Sequence, residues 1–125
     1  MDVITTITGT VMKGLLMGRK MGFPTINVAF ASTDLPFGVY ATRVYTSEGV
    51  YKGALHFGPR KVMNMMEPSL EVHLLDFSGD LYGKEVKIEV IEKIRDTKDF
   101  DDMDALKRQI RYDVDAVRAT DIPLK

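Results

Sequence analysis

Val86, Ile88 and Val90 alternate with Lys87 and Glu89. A period of two over consecutive residues describes an extended chain with one face buried and the other wet. The same strand-forming chemistry recurs along most of the chain. Residues 3–12 are rich in Val, Ile and Thr, whose branched Cβ suits a pleated surface. Residues 39–46 and 50–57 flank Ser47-Glu48-Gly49, a short glycine-containing loop between two β-prone runs and hence a predicted hairpin. A second pair runs from Leu70 to Phe77 and from Lys84 to Ile94, around a turn at Ser78-Gly79-Asp80. The alternation breaks at Ile91, which predicts a bulge or bend. Only one segment has helical spacing: Met103, Leu106, Ile110, Val114 and Val117 form one stripe, with Asp101 or Asp102 as N-cap and Pro123 beyond the end. Five or six strands followed by one helix predict an antiparallel barrel or sandwich with the helix packed outside. No repeat or linker interrupts the chain, so residues 1–125 are expected to form a single domain.

Composition narrows the function classes. Seventeen basic and eighteen acidic residues give a formal charge of -1, without the basic excess of a dedicated nucleic-acid binder. Cysteine is absent, which removes disulfides and thiolate metal sites. His56 and His73 are too few to build a structural zinc site on their own, and each fits a satisfied strand histidine better. The N-terminus lacks the pattern of a secretory signal, and no apolar run approaches the roughly 20 residues needed to span a bilayer. The expected location is the cytoplasm, with no membrane partner.

Gly14-Leu15-Leu16-Met17-Gly18-Arg19-Lys20-Met21-Gly22-Phe23-Pro24-Thr25-Ile26-Asn27 joins the first strand to the rest. Glycines let backbone N–H groups approach an anion, and Arg19 and Lys20 add positive charge beside them. Thr25 and Asn27 are two apart, so in an extended segment they point the same way and offer neutral oxygens suited to Mg²⁺. On spacing alone, a glycine-rich connection stopped by a proline has the edge. The segment is neither a Walker A loop nor a dinucleotide fingerprint.

Gly14-x-x-x-Gly18-Arg19-x-x-Gly22-Phe23-Pro24-Thr25-x-Asn27 resembles the signature of riboflavin kinases, including the kinase half of bacterial bifunctional FAD synthetases. Further matches follow in order at Gly38-Val39-Tyr40-Ala41, at residues 70–77, at Gly79-Asp80-Leu81-Tyr82-Gly83 and at Phe100. The resemblance covers almost the whole chain. It implies a closed six-stranded antiparallel Greek-key barrel with a C-terminal helix, with ATP and flavin meeting at the barrel mouth. The implied reaction moves the γ-phosphate of ATP to the 5′-hydroxyl of riboflavin, giving FMN and ADP. Thr25 and Asn27 would hold Mg²⁺, with Zn²⁺ or Mn²⁺ as alternatives, and contact ATP. Gly14, Gly18, Arg19, Gly22 and Pro24 match the nucleotide loop, and Leu74, Asp76 and Tyr82 match positions near adenine and ribose. Arg95, Lys98 and Phe100 correspond to flavin contacts. Two departures stand out: Ile26 replaces the usual alanine, and Ala54-Leu55-His56-Phe57-Gly58-Pro59-Arg60 replaces a stretch that commonly carries Asn two residues before the glycine.

Glu71 lies inside an apolar stretch, on one face with His73, Leu75 and Phe77 if the strand is regular. Burying a carboxylate is costly unless it is paired or solvated. By itself the pattern fits an exposed strand face; the resemblance makes Glu71 the general base for the riboflavin hydroxyl. Other residues keep ordinary readings alongside: Leu74 as core, Asp80 as a turn residue, 95–100 as a solvated loop, and Met63, Met65 and Met66 as a flap or core filler. The sequence thus predicts a monomeric riboflavin kinase that stops at FMN, since no adenylyltransferase domain precedes it. A flavin-binding barrel without catalysis is the alternative, and an oligonucleotide-binding barrel lacks the basic, aromatic face it would need.

Overall fold

In the computed structural model, which describes residues 2–13 and 25–124, six antiparallel strands close into a barrel. They are β1 (Thr5–Met12), β2 (Ile26–Ala29), β3 (Gly38–Thr46), β4 (Gly49–Arg60), β5 (Met65–Leu74) and β6 (Glu85–Arg95), ordered β1-β2-β5-β4-β3-β6 around the ring. The meander β3-β4-β5 is followed by a strand that returns beside β3, which is a Greek-key path. A single turn of 3₁₀ helix (Lys61–Met63) joins β4 to β5. The C-terminal helix α1 (Met103–Ala119) begins at Asp102, whose side chain accepts from the Ala105 N–H at 2.8 Å and satisfies a free helix donor.

Alternation divides each strand between an inner and an outer face. Ile7, Val11, Val28, Tyr40, Val44, Leu55, Leu70, Val72, Leu74, Val86, Ile88 and Val90 fill the interior. That interior is packed with side chains, so a substrate is excluded from it. Glu71 and its register partners Asn27 and His56 lie on the outer wall of the barrel. Closure brings β1 and β2 very near at Gly9, where a Cβ would stand 1.9 Å from the Ala29 carbonyl oxygen, so only glycine fits.

The predicted break at Ile91 is a bulge. Thr42 pairs with Val90 and Ala41 with Glu92, which leaves Ile91 as an extra residue on β6, and a second shift follows at Ile94. Ile91 faces outward next to the inward Val90, and the bulge shifts the phase so that Ile94 faces outward too; both meet Ala41, Leu75, Val114, Val117 and Ile122 in a second core beneath α1. Lys52 secures the end of that helix by donating to the carbonyls of Arg118 and Thr120 at 3.0 and 2.6 Å.

Two strand boundaries differ from the sequence expectation. The fifth strand ends at Leu74, because Asp76 adopts a left-handed conformation (φ 61°) and turns the chain. Leu75 consequently packs under α1 while Phe77 packs on the inner core, so Phe77 does not share the face of Glu71. The same strand starts at Met65, inside the stretch expected to form a flap.

Candidate functional site

Asn27 on β2 is the register partner of Glu71 on β5, and Glu71 is in turn the partner of His56 on β4. Directly opposed residues have Cβ atoms about 4.5–5.5 Å apart. Since Leu70, Val72 and Leu74 point inward, Glu71 points outward from the barrel wall, with Asn27 and His56 on either side. Thr25 lies two residues before Asn27, on the same side if the extended path continues. Closure of the ring thus joins Asn27 and a carboxylate that are more than forty residues apart in sequence.

Glu71 is buried to 8% exposure and is not alone. The Arg60 Nε–H donates to its Oε2 at 3.1 Å, and the Ser69 hydroxyl lies 3.4 Å from the same oxygen. Arg60 reaches Glu71 from the end of β4, past an irregularity after Gly58. Gly58 has φ 146°, and a Cβ there would stand 3.1 Å from Thr97. The glycine thereby lets the segment after β6 lie against β4.

His56 is also buried, and its Nδ1 has no hydrogen-bond partner among the described residues. Burial, aided by the positive charges of Arg60 and Arg95, pushes its pKa down to about 3, so the ring is neutral near pH 7. Together with Pro59, Arg60, Lys61, Val62 and Asp99, it lines a notch that also contains the expected flavin residues Lys98 and Phe100. The Lys98 ammonium sits 5.4 Å from the Phe100 ring centroid. The notch encloses only about 10 Å³. A larger hollow of about 390 Å³, between residues 4–7 and 32–36, contains none of the sequence-predicted residues.

Arg95 is committed to α1. Its Nε and Nη2 donate to the two oxygens of Asp113, both at 2.8 Å, and Gln109 donates to Asp113 at 3.1 Å. This fork ties the end of β6 to the helix and fixes where 96–100 begins. Asp113, Arg60 and the unpartnered His56 nitrogen were not singled out from the sequence. For Asp113 a signal existed, a carboxylate beside Val114 on the apolar side of the helix and four residues after Gln109.

The remaining expected residues are dispersed. Leu74 belongs to the inner core at 5% exposure. Asp76 is exposed in the turn after β5 and paired with Arg118 at 3.1 Å; that guanidinium holds its carboxyl below the usual range. Tyr82 is exposed, and its N–H donates to Asp80 at 2.8 Å, so Asp80 serves the turn as expected. Asp76 and Tyr82 lie in the connection before β6, whereas Arg95 is its last residue and Lys98 and Phe100 follow it. Gly14, Gly18, Arg19, Gly22 and Pro24 lie outside the described residues. No cluster of three His, Asp or Glu side chains suited to a metal occurs among the described residues. Among them, too, no helix is long and apolar enough to cross a membrane.

Comparison with known proteins agrees with the fold. The family model described as riboflavin kinase matches residues 2–120. An RNA-binding riboflavin kinase, RibR, from Bacillus subtilis is 36% identical over 91% of this chain and 50% of its own length. A bifunctional riboflavin kinase/FMN adenylyltransferase from Haemophilus influenzae is 40% identical over 90% of this chain and 37% of its own. The chain thus spans half or less of these relatives. Among solved structures, a riboflavin kinase from Trypanosoma brucei superposes with TM-score 0.63 at 26% identity, covering 90% of this chain and 74% of that one. A Streptococcus pneumoniae protein described as a macrolide-efflux protein superposes with TM-score 0.80 at 30% identity, covering 93% and 39%.

Proposed function

We propose that this chain, which belongs to the riboflavin kinase family, transfers the γ-phosphate of ATP to the 5′-hydroxyl of riboflavin, with Glu71 as general base. One observation carries the assignment: Asn27 and Glu71 are direct cross-strand partners on the outer wall.

Phosphoryl transfer needs an alcohol in line with the γ-phosphate and an acceptor for its proton. Glu71 takes that proton as the ribityl oxygen bonds to phosphorus. The bond from phosphorus to the bridging oxygen breaks, and its electron pair leaves with ADP. Thr25 and Asn27 fit Mg²⁺ because a cation that draws most of its ligands from phosphates and water needs few protein donors, and neutral ones suffice. When bound, the ion neutralises charge on the phosphate oxygens. Zn²⁺ or Mn²⁺ would have to accept the same donors. Gly14, Gly18, Arg19, Gly22 and Pro24 are assigned to the phosphates, with Asp76 and Tyr82 on the adenosine side and Leu74 supporting that end of β5 from the inner core. Lys98 and Phe100 cover the flavin, and Arg95 acts by anchoring their segment. We treat residues 1–125 as one kinase domain working as a monomer in the cytoplasm, where ATP is at hand, and the balanced charge favours no nucleic-acid partner.

Purified protein incubated with riboflavin, ATP and Mg²⁺ should yield FMN and ADP in equal amounts by chromatography. Flavin binding without FMN would instead select the non-catalytic barrel.

A further inference from the structure

Both hydrogen bonds that described residues make to Glu71 end on Oε2, from Arg60 at 3.1 Å and from Ser69 at 3.4 Å. The Arg60 and Glu71 side chains are each only 10% exposed, so the pair is shielded from solvent and from screening. Asn27 lies across from Glu71 on β2, whereas Arg60 approaches from β4. The carboxylate is thus held on one flank, with the nucleotide-side asparagine on the other.

The geometry points to Arg60 as the positioning residue for Glu71: it grips Oε2 and leaves Oε1 to receive the proton of the riboflavin hydroxyl. This rests on Glu71 being the base. A carboxylate on a freely rotating side chain would present either oxygen over a range of angles, and misplacement at a proton-transfer site lowers the rate steeply. Arg60 suits the task because its charge does not titrate and its planar group fixes direction as well as distance. Its surroundings favour Glu71 as its partner. His56 beside it is a neutral ring, and the nearby Asp99 is exposed and pairs with Lys61 at 3.7 Å.

A double-mutant cycle tests the assignment. Arg60→Gln should lower kcat about tenfold or more while the KM values for riboflavin and ATP move less than about threefold, because the residue acts through the base and not on either substrate. In a Glu71→Gln background, adding Arg60→Gln should cost less than about threefold, since there is then no base to orient. Arg60→Lys, which keeps the charge but not the planar guanidinium, should fall between wild type and Arg60→Gln; it also serves for the cycle if Arg60→Gln melts too low to assay. Equal losses from the arginine substitution in both backgrounds would overturn the positioning role while leaving Glu71 as base. Full activity in Glu71→Gln alone would overturn both.

Discussion

Lowering the pH should weaken this barrel through His56. In the native state its pKa is about 3, chiefly because burial penalises the imidazolium and secondarily because Arg60 and Arg95 repel it. In the unfolded chain it returns to about 6.5. The folded value lies below the unfolded one, so stability is undiminished above about pH 6.5 and is lost progressively as pH falls toward 3. Over that window the unfolded state binds the extra proton, and the loss is about 1.4 kcal/mol per pH unit. Between pH 7 and pH 5 this amounts to about 2 kcal/mol, or roughly 6–10 °C in Tm for a domain of this size. Urea unfolding of wild type and His56→Asn at both pH values isolates the contribution, because the other titrating groups are common to the two proteins. The variant should lose about 2 kcal/mol less than wild type on acidification. Equal losses would refute the claim that a neutral histidine is trapped beside Glu71.

Other perturbations separate chemistry from architecture. Glu71→Gln should reduce kcat by about a hundredfold or more, measured as FMN formation, with the far-UV circular dichroism of wild type. Asp113→Ala strips the guanidinium of Arg95 of its fork and should cost about 3 kcal/mol in chemical denaturation, because the remaining charge is largely buried. Gly9→Ala forces a Cβ into the Ala29 carbonyl and should destabilise the barrel by about 3 kcal/mol or prevent its folding, seen as a lowered or absent thermal transition. Leu106→Ala, at a fully buried position on α1, should cost about 2–5 kcal/mol in the same measurement.

The residues that revealed themselves in the sequence are those whose environment is regular. Val86, Ile88 and Val90 alternate because β6 is uniform until its bulge, and Leu106, Val114 and Val117 keep helical spacing because α1 has one buried side. Ile26–Ala29 is four residues long, too short to display a period, and its status as a strand comes from neighbours far away in sequence. Met65–Pro68 shows no periodicity in sequence; Pro68, which cannot donate to a ladder, lies where the β4–β5 register is irregular and has no assigned partner. Glu71, Thr25 and Asn27 were visible through family resemblance, but their encounter is a property of ring closure. Arg60 was hidden for a related reason: its partner is set by the irregularity after Gly58, which no local periodicity reports.

The ring is not equally strong all round. Among the described residues, β2 meets β1 through Asn27, Val28 and Ala29 and meets β5 through Ile26 and Asn27, whereas β3 and β4 pair along nearly their full lengths. A closed circuit of strands yields first at its narrowest splice, and here that splice carries Asn27. Amide protons of 26–29 should therefore exchange with solvent through small local openings, well before the rest of the wall lets go. A nucleotide gripping this strand would close that leak, so its arrival should register as slowed exchange at one short segment of the circumference.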